Sequence, residues 1–98
     1  MYNHSVLVSS YTIINMNILL KKLIGQLLQI KSPKEMEQFL GAILTPQELE
    51  AIPKRLEIVH LLKKGVSQRK IAETLKTGIA TVTRGSKEIH LKHFKNIS

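Results

Sequence analysis

At 98 residues, with a net charge of +8 and no cysteine, the chain is sized for one small domain and excludes a disulfide framework, a thiol nucleophile and a thiolate metal site. The charge is uneven: residues 54–98 hold eleven of the fifteen Lys and Arg against Glu57, Glu73 and Glu88, whereas residues 1–53 carry four of each sign. A basic half beside a neutral half is the footprint of a surface that meets nucleic-acid phosphate, and so small a domain is expected to oligomerise to complete its core.

Residues 1–20 contain no Lys, Arg, Asp or Glu and precede Lys21-Lys22. Asn3, Ser5, Ser9, Ser10, Thr12, Asn15 and Asn17 interrupt this stretch too often for a bilayer span, and it lacks the basic start of a signal peptide. Strand signals are confined to its first fourteen residues. Helical periodicity begins near Met16, which is read as the initiator, so residues 1–15 are expected to be a flexible or non-native extension. From there Ile18, Leu19, Leu20, Leu23, Ile24, Leu27, Leu28 and Ile30 recur at helical spacing on a broad apolar stripe. Such a stripe suits either an ordinary core helix or packing across a dimer interface.

Ser32-Pro33-Lys34-Glu35 has the form of a capping box with proline at the first helical position, and predicts a helix that turns Met36, Phe39, Leu40 and Ile43 inward. Thr45-Pro46-Gln47-Glu48 repeats the device. It opens a helix whose apolar positions are Leu49, Ile52, Leu56, Val59 and Leu62, with a kink expected near Leu49 to Pro53 and an end at Gly65. His60 lies beside that stripe and is read as a partly buried packing residue.

The stretch SQRKIAETLKTGIATVTRGS, residues 67–86, reads as two short helices and a tight turn. Ser67 caps the first helix, Ile71, Ala72 and Leu75 form its apolar face, Lys76-Thr77-Gly78 turn the chain, and a second helix opens at Ile79 with Ile79 and Val82 pointing inward. Ala72 suits the close approach of two crossing helices. The small and hydroxylated residues at the start of the second helix suit a major groove, where its N-terminus also favours phosphate. The candidate DNA-reading residues are Ile79, Ala80, Thr81 and Thr83, with Gln68 and Arg69 positioning the first helix and with Gly78 and Lys87 on the same surface. The helix-turn-helix is placed at residues 67–91 of a helical domain spanning 16–92, followed by an unstructured basic tail, 93–98. His90 and His93 lie three apart but have no third ligand nearby, so no metal is expected. No Ser/His/acid or Cys/His pairing and no paired-carboxylate site is suggested, so no catalytic residue is assigned.

GIATVTRGS, together with LTPQE and KRLEIVHLLKKG upstream, resembles the tryptophan operon repressor family. The resemblance covers residues 43–87. It implies an all-α, intertwined homodimer, a cytoplasmic repressor of a tryptophan biosynthesis or transport operon that binds double-stranded operator DNA with L-tryptophan as corepressor and no other cofactor. The corepressor would lie between Arg55 and Arg84, whose guanidinium groups stack on an indole and clamp a carboxylate. Leu44 and Thr45 match the pocket's other wall, with a backbone carbonyl for the ammonium and a hydroxyl for the carboxylate. Thr81, Gly85 and Glu88 complete the set, with Gly85 leaving room for the ring. Glu88 stands where the family usually has Ser, Lys76 where Gly is usual and Ala72 where a basic residue is; the family's last helix has no counterpart.

Other readings are a relative that binds DNA constitutively or with another small molecule, and a helix-turn-helix of a transposase or antitoxin. The structural alternative for the arginines is simple contact with phosphate, or pairing with Glu57 and Glu88. A peripheral membrane protein anchored by residues 19–30 is disfavoured because the lysines there do not segregate to one face, so no membrane partner is expected.

Overall fold

In the computed structural model the backbone is described from His4 onward and the side chains from Met16 onward. Five helices follow one another: α1 (His4–Gln29), α2 (Pro33–Ile43), α3 (Pro46–Lys63), α4 (Gln68–Leu75) and α5 (Ile79–His90). No strand occurs among the described residues, in keeping with the all-helical expectation. The chain divides into two units, Met1–Ala42 and Ile43–Ser98. Helix α1 starts at His4, upstream of the point where apolar periodicity sets in. The reading of residues 1–15 as an extension concerns side chains that lie outside the described residues.

The first unit has no buried side chain among its described residues. Leu19, Leu20, Ile24 and Leu28 of the predicted stripe are exposed, while Leu27 and Ile30 are half-buried. On α2, Met36, Phe39 and Leu40 are half-buried, but Ile43, expected to point inward, is exposed. The cap of α2 is half of the predicted box: the Glu35 N–H donates to Ser32 Oγ at 3.1 Å, without a reciprocal bond from the Glu35 carboxylate. No helix among the described residues is long and apolar enough to cross a membrane.

The second unit is where the core lies. Helices α3, α4 and α5 pack on one another, and Ile58, Ile71 and Val82 meet fully buried at their junction, with Leu61, Leu62, Val66, Ala72 and Leu75 around them. Each of the three contributes about 2–3 kcal/mol relative to an exposed side chain. Ala72 and Leu75 flank Ile71 as their spacing predicts. Four positions correct the sequence reading. Ile79, expected to point inward beside Val82, is 53% exposed, because the first residue of α5 projects past the end of the three-helix contact. On α3 the first three positions of the expected stripe, Leu49, Ile52 and Leu56, are exposed, whereas its Val59 is buried beside Ile58 and its Leu62 is half-buried.

The ends of α3 follow their local chemistry. Thr45 Oγ1 accepts from the Glu48 N–H at 3.2 Å, and the Glu48 carboxylate accepts from the Thr45 N–H at 2.8 Å, a complete capping box. That backbone donor, then the Thr45 side chain, holds the Glu48 carboxyl below the ordinary carboxylate range. Helix α3 continues through Pro53, which leaves the Leu49 carbonyl without its usual helical donor. It ends before Gly65, whose φ of +85° is a conformation that favours glycine.

Candidate nucleic-acid interface and ligand groove

The two helices after residue 66 are fixed from both ends. Ser67 Oγ accepts from the Lys70 N–H at 3.2 Å, and α4 stops at Lys76, which adopts the left-handed conformation (φ 52°, ψ 50°) while its neighbour Thr77 donates to the Ala72 carbonyl at 3.1 Å. A lysine there costs about 1 kcal/mol relative to glycine. Gly78, by contrast, is the N-cap of α5 at φ −68°, with open space where a Cβ would be and no side chain to cap the helix. The first turn of α5 therefore has no side chain capping its free N–H groups, the arrangement that accepts an anionic oxygen.

Around that end Gly78, Ile79, Ala80, Thr81, Thr83 and Lys87 are all exposed. Gln68 is half-buried, since it is tied to the second helix: Thr83 Oγ1 donates to Gln68 Oε1 at 2.8 Å and also lies 3.0 Å from the Ile79 carbonyl oxygen. This bond leaves the Gln68 amide N–H groups to point elsewhere, so the residue expected to position α4 is itself oriented by one expected to read bases. The Arg69 side chain is 90% exposed and 3.5 Å from Glu73, a solvated pair of little energetic weight that leaves its other donors available.

Behind this surface, α3 and α5 enclose a groove of about 510 Å³ lined by Arg55, Thr81, Arg84, Gly85 and Glu88, together with Ile58, Val59, Ala80 and Phe94. Five of the seven residues assigned to a corepressor site thus share one cavity. Leu44 and Thr45 line neither this cavity nor a smaller one of about 250 Å³ that shares Arg55, Ile58 and Thr81 with it. The Thr45 oxygen is engaged in capping α3.

The acidic neighbours of the two arginines are occupied elsewhere. Glu57 lies 3.4 Å from His60, and Glu88 pairs with His93. Among the described residues neither Arg55 nor Arg84 has a carboxylate within ion-pair distance, so the alternative of Arg55–Glu57 and Arg84–Glu88 pairs is not what forms. Arg55 and Arg84 therefore line one groove with Ile58 and Val59, neither in a close ion pair and with Glu88 beside them, an arrangement complementary to a flat ligand bearing a carboxylate. The role of Gly85 also becomes concrete. A Cβ there would lie 3.1 Å from Ile58 Cγ2 and 3.4 Å from Leu62 Cδ1, so the first requirement at this position is close packing of α5 on α3.

The expected basic tail, residues 93–98, begins inside a run of turns. Residues 91–96 form turns, and Phe94 and Ile97 are half-buried. Sequence reasoning misses Phe94 because a single aromatic between Lys92, His93 and Lys95 carries no periodic signal. It misses Ile58 because that residue lies next to, not on, the three-four register of α3.

A family model described as the Trp repressor protein matches residues 19–96. A "Trp operon repressor homolog" of Vibrio vulnificus (strain YJ016) is 48% identical over 60 residues, 60% of this chain and 59% of the relative. The protein of the same name from Photobacterium profundum is 54% identical over 55 residues, covering 55% of this chain and 52% of its own. That of Actinobacillus succinogenes is 53% identical over 57 residues, 57% of this chain and 55% of the relative. The chain spans between half and three fifths of the length of these curated relatives. No solved structure matches it significantly. With the family model covering most of the chain and the groove and exposed helix end falling inside the matched segment, the chain belongs to the Trp repressor protein family.

Proposed function

We propose that the protein is a sequence-specific, DNA-binding transcriptional repressor of the cytoplasm that acts as a homodimer on a double-stranded operator and is switched on by L-tryptophan. The observation that carries the ligand is the pair of guanidinium groups, Arg55 and Arg84, in one groove with their carboxylate neighbours bound to His60 and His93. An indole packs on the floor made by Ile58 and Val59, and its carboxylate takes the charge of the arginines. Because Thr81 and Arg84 lie on α5, a ligand bound there braces the helix whose N-terminus faces outward. Tryptophan then favours the arrangement of recognition helices that fits successive major grooves, and its differential affinity for that arrangement sets the switch.

A second reading, constitutive DNA binding or a response to another small molecule, draws on one feature. Glu88, which is in the groove, adds a negative charge there. Its carboxylate opposes the carboxylate of an amino-acid ligand in the same groove and so reduces what the two arginines contribute to binding it. Binding of a palindromic operator duplex, measured with and without L-tryptophan at fixed salt, separates the readings. The repressor proposed here gains at least about tenfold in affinity with tryptophan, a coupling of ~1.4 kcal/mol, whereas a constitutive binder is indifferent to it.

A further inference from the structure

We propose that Phe94 is a wall of the ligand groove, a ring-recognising residue, and that Lys63 is the positioning residue that holds it there. The inference rests on the reading of the groove as an aromatic amino-acid site.

The last residues of the chain are reversed by a helix-ending motif. The Lys92 N–H donates to the Ile89 carbonyl at 2.8 Å and the His93 N–H to the Glu88 carbonyl at 3.1 Å, with Lys92 at φ 63°. These are the two bonds and the left-handed residue of a Schellman cap, with lysine in the place usually taken by glycine. The cap turns the chain back, so that Phe94 returns to line the same groove as Arg84 and Arg55. Two further contacts keep it there. The His93 ring nitrogen Nδ1 meets the Glu88 carboxylate, and the part-buried Lys63 ammonium, from the last turn of α3, donates to the backbone carbonyls of both Phe94 and Ile97. The Ile97 N–H donates to the Phe94 carbonyl at 3.0 Å, closing a turn around that ammonium. A charged donor shared by two carbonyls is a strong tether for a segment with so little apolar surface of its own.

The ring does not fill the groove, since the cavity of about 510 Å³ remains with Phe94 in its lining. Phe94 thus stands as one wall of a groove that Arg55, Arg84, Ile58 and Val59 also line. An aromatic ligand meets its ring edge to face or offset, whereas an aliphatic amino acid gains only contact area. Phe94 accordingly selects aromatic over aliphatic amino acids. It does so by touching the ring, independently of the ligand's ammonium.

The test is equilibrium binding of L-tryptophan and of 3-indolepropionate to the full chain and to its variants at Phe94 and Lys63, followed by indole fluorescence. Phe94→Ala is expected to weaken both ligands by about tenfold and by the same factor. Lys63→Met is expected to lose a similar factor, Lys63→Arg to restore most of it, and the Phe94→Ala/Lys63→Met double variant to bind no more weakly than Phe94→Ala alone. A Lys63 that merely stabilised the fold would give additive losses. In the wild-type protein, nuclear Overhauser contacts between the Phe94 ring and the bound indole are expected, which keeps the test alive if a variant does not fold. Tryptophan bound by wild type and by Phe94→Ala with equal affinity overturns the wall and leaves the aromatic site standing. Tighter binding to Phe94→Ala also overturns it, by showing the ring to be an obstruction. No binding to either protein removes both the wall and the site.

Discussion

The two units of the chain solve the problem of apolar surface in opposite ways. Residues Ile43–Ser98 enclose Ile58, Val59, Ile71 and Val82 almost completely, whereas the described residues of Met1–Ala42 bury no side chain and leave Leu19, Leu20, Ile24 and Leu28 facing solvent. Short helices with turn residues between them can close a core when three of them cross, as α3, α4 and α5 do; α1 and α2 present apolar stripes with too little of their own chain to cover them. The first unit thus carries a surface that asks for a partner, and the second carries a finished scaffold for a site. Under the proposed function the partner is a second copy.

The largest expected effect breaks the finished half. Ile71→Ala removes a fully buried side chain from the junction of three helices and is expected to cost about 3–4 kcal/mol, measured by thermal or denaturant unfolding. Leu20→Ala, by comparison, should cost little within the isolated chain. Leu20→Glu sharpens the contrast from the other side: if a second copy covers α1, the buried carboxylate is expected to weaken self-association by about 2–3 kcal/mol. Sedimentation at micromolar concentration should then show dimer for wild type and monomer for the variant, with helical content kept. A monomeric wild type would leave α1 exposed and remove the explanation of its stripe.

Much of the finished half is visible in the residues themselves because its determinants are local. Thr45 and Ser67 each cap the helix that follows, and the periodicity of Ile71, Ala72 and Leu75 marks the face that packs. Arg55, Thr81, Arg84, Gly85 and Glu88, singled out in the sequence, line one groove. What is illegible depends on contacts distant in sequence. Phe94 owes its place to a lysine thirty-one positions earlier, and nothing in its neighbours' composition reports that. The apolar side chain of Ile79 suggests burial, yet its position as the first residue of α5 keeps it outside the packed junction. Leu44 and Thr45 stand apart from the groove in the single chain.

Two smaller effects probe how local rules operate inside the second unit. Lys76→Gly relieves a side chain held at φ 52° and is expected to stabilise the unit by about 1 kcal/mol, seen as a raised unfolding midpoint. The Glu48 cap predicts a pH dependence. Its folded-state carboxyl is held below the ordinary range by the Thr45 N–H, so its stabilising contribution is present above the unfolded-state value and is lost as pH falls through the folded one. Glu48→Gln should therefore flatten the acid limb of the stability profile slightly; an unchanged limb would mean the box does not hold in solution.

Under the proposed function the groove of the second unit binds L-tryptophan between Arg55 and Arg84, and direct titration tests this most simply. The chain contains no tryptophan, so the ligand's indole emission is read without protein background. Saturable binding to wild type is expected, with Arg84→Ala forfeiting about 2 kcal/mol of it through lost stacking and charge-assisted bonds, and with helix α5 still folded. Absence of binding at millimolar tryptophan, or binding that Arg84→Ala leaves unchanged, would contradict it.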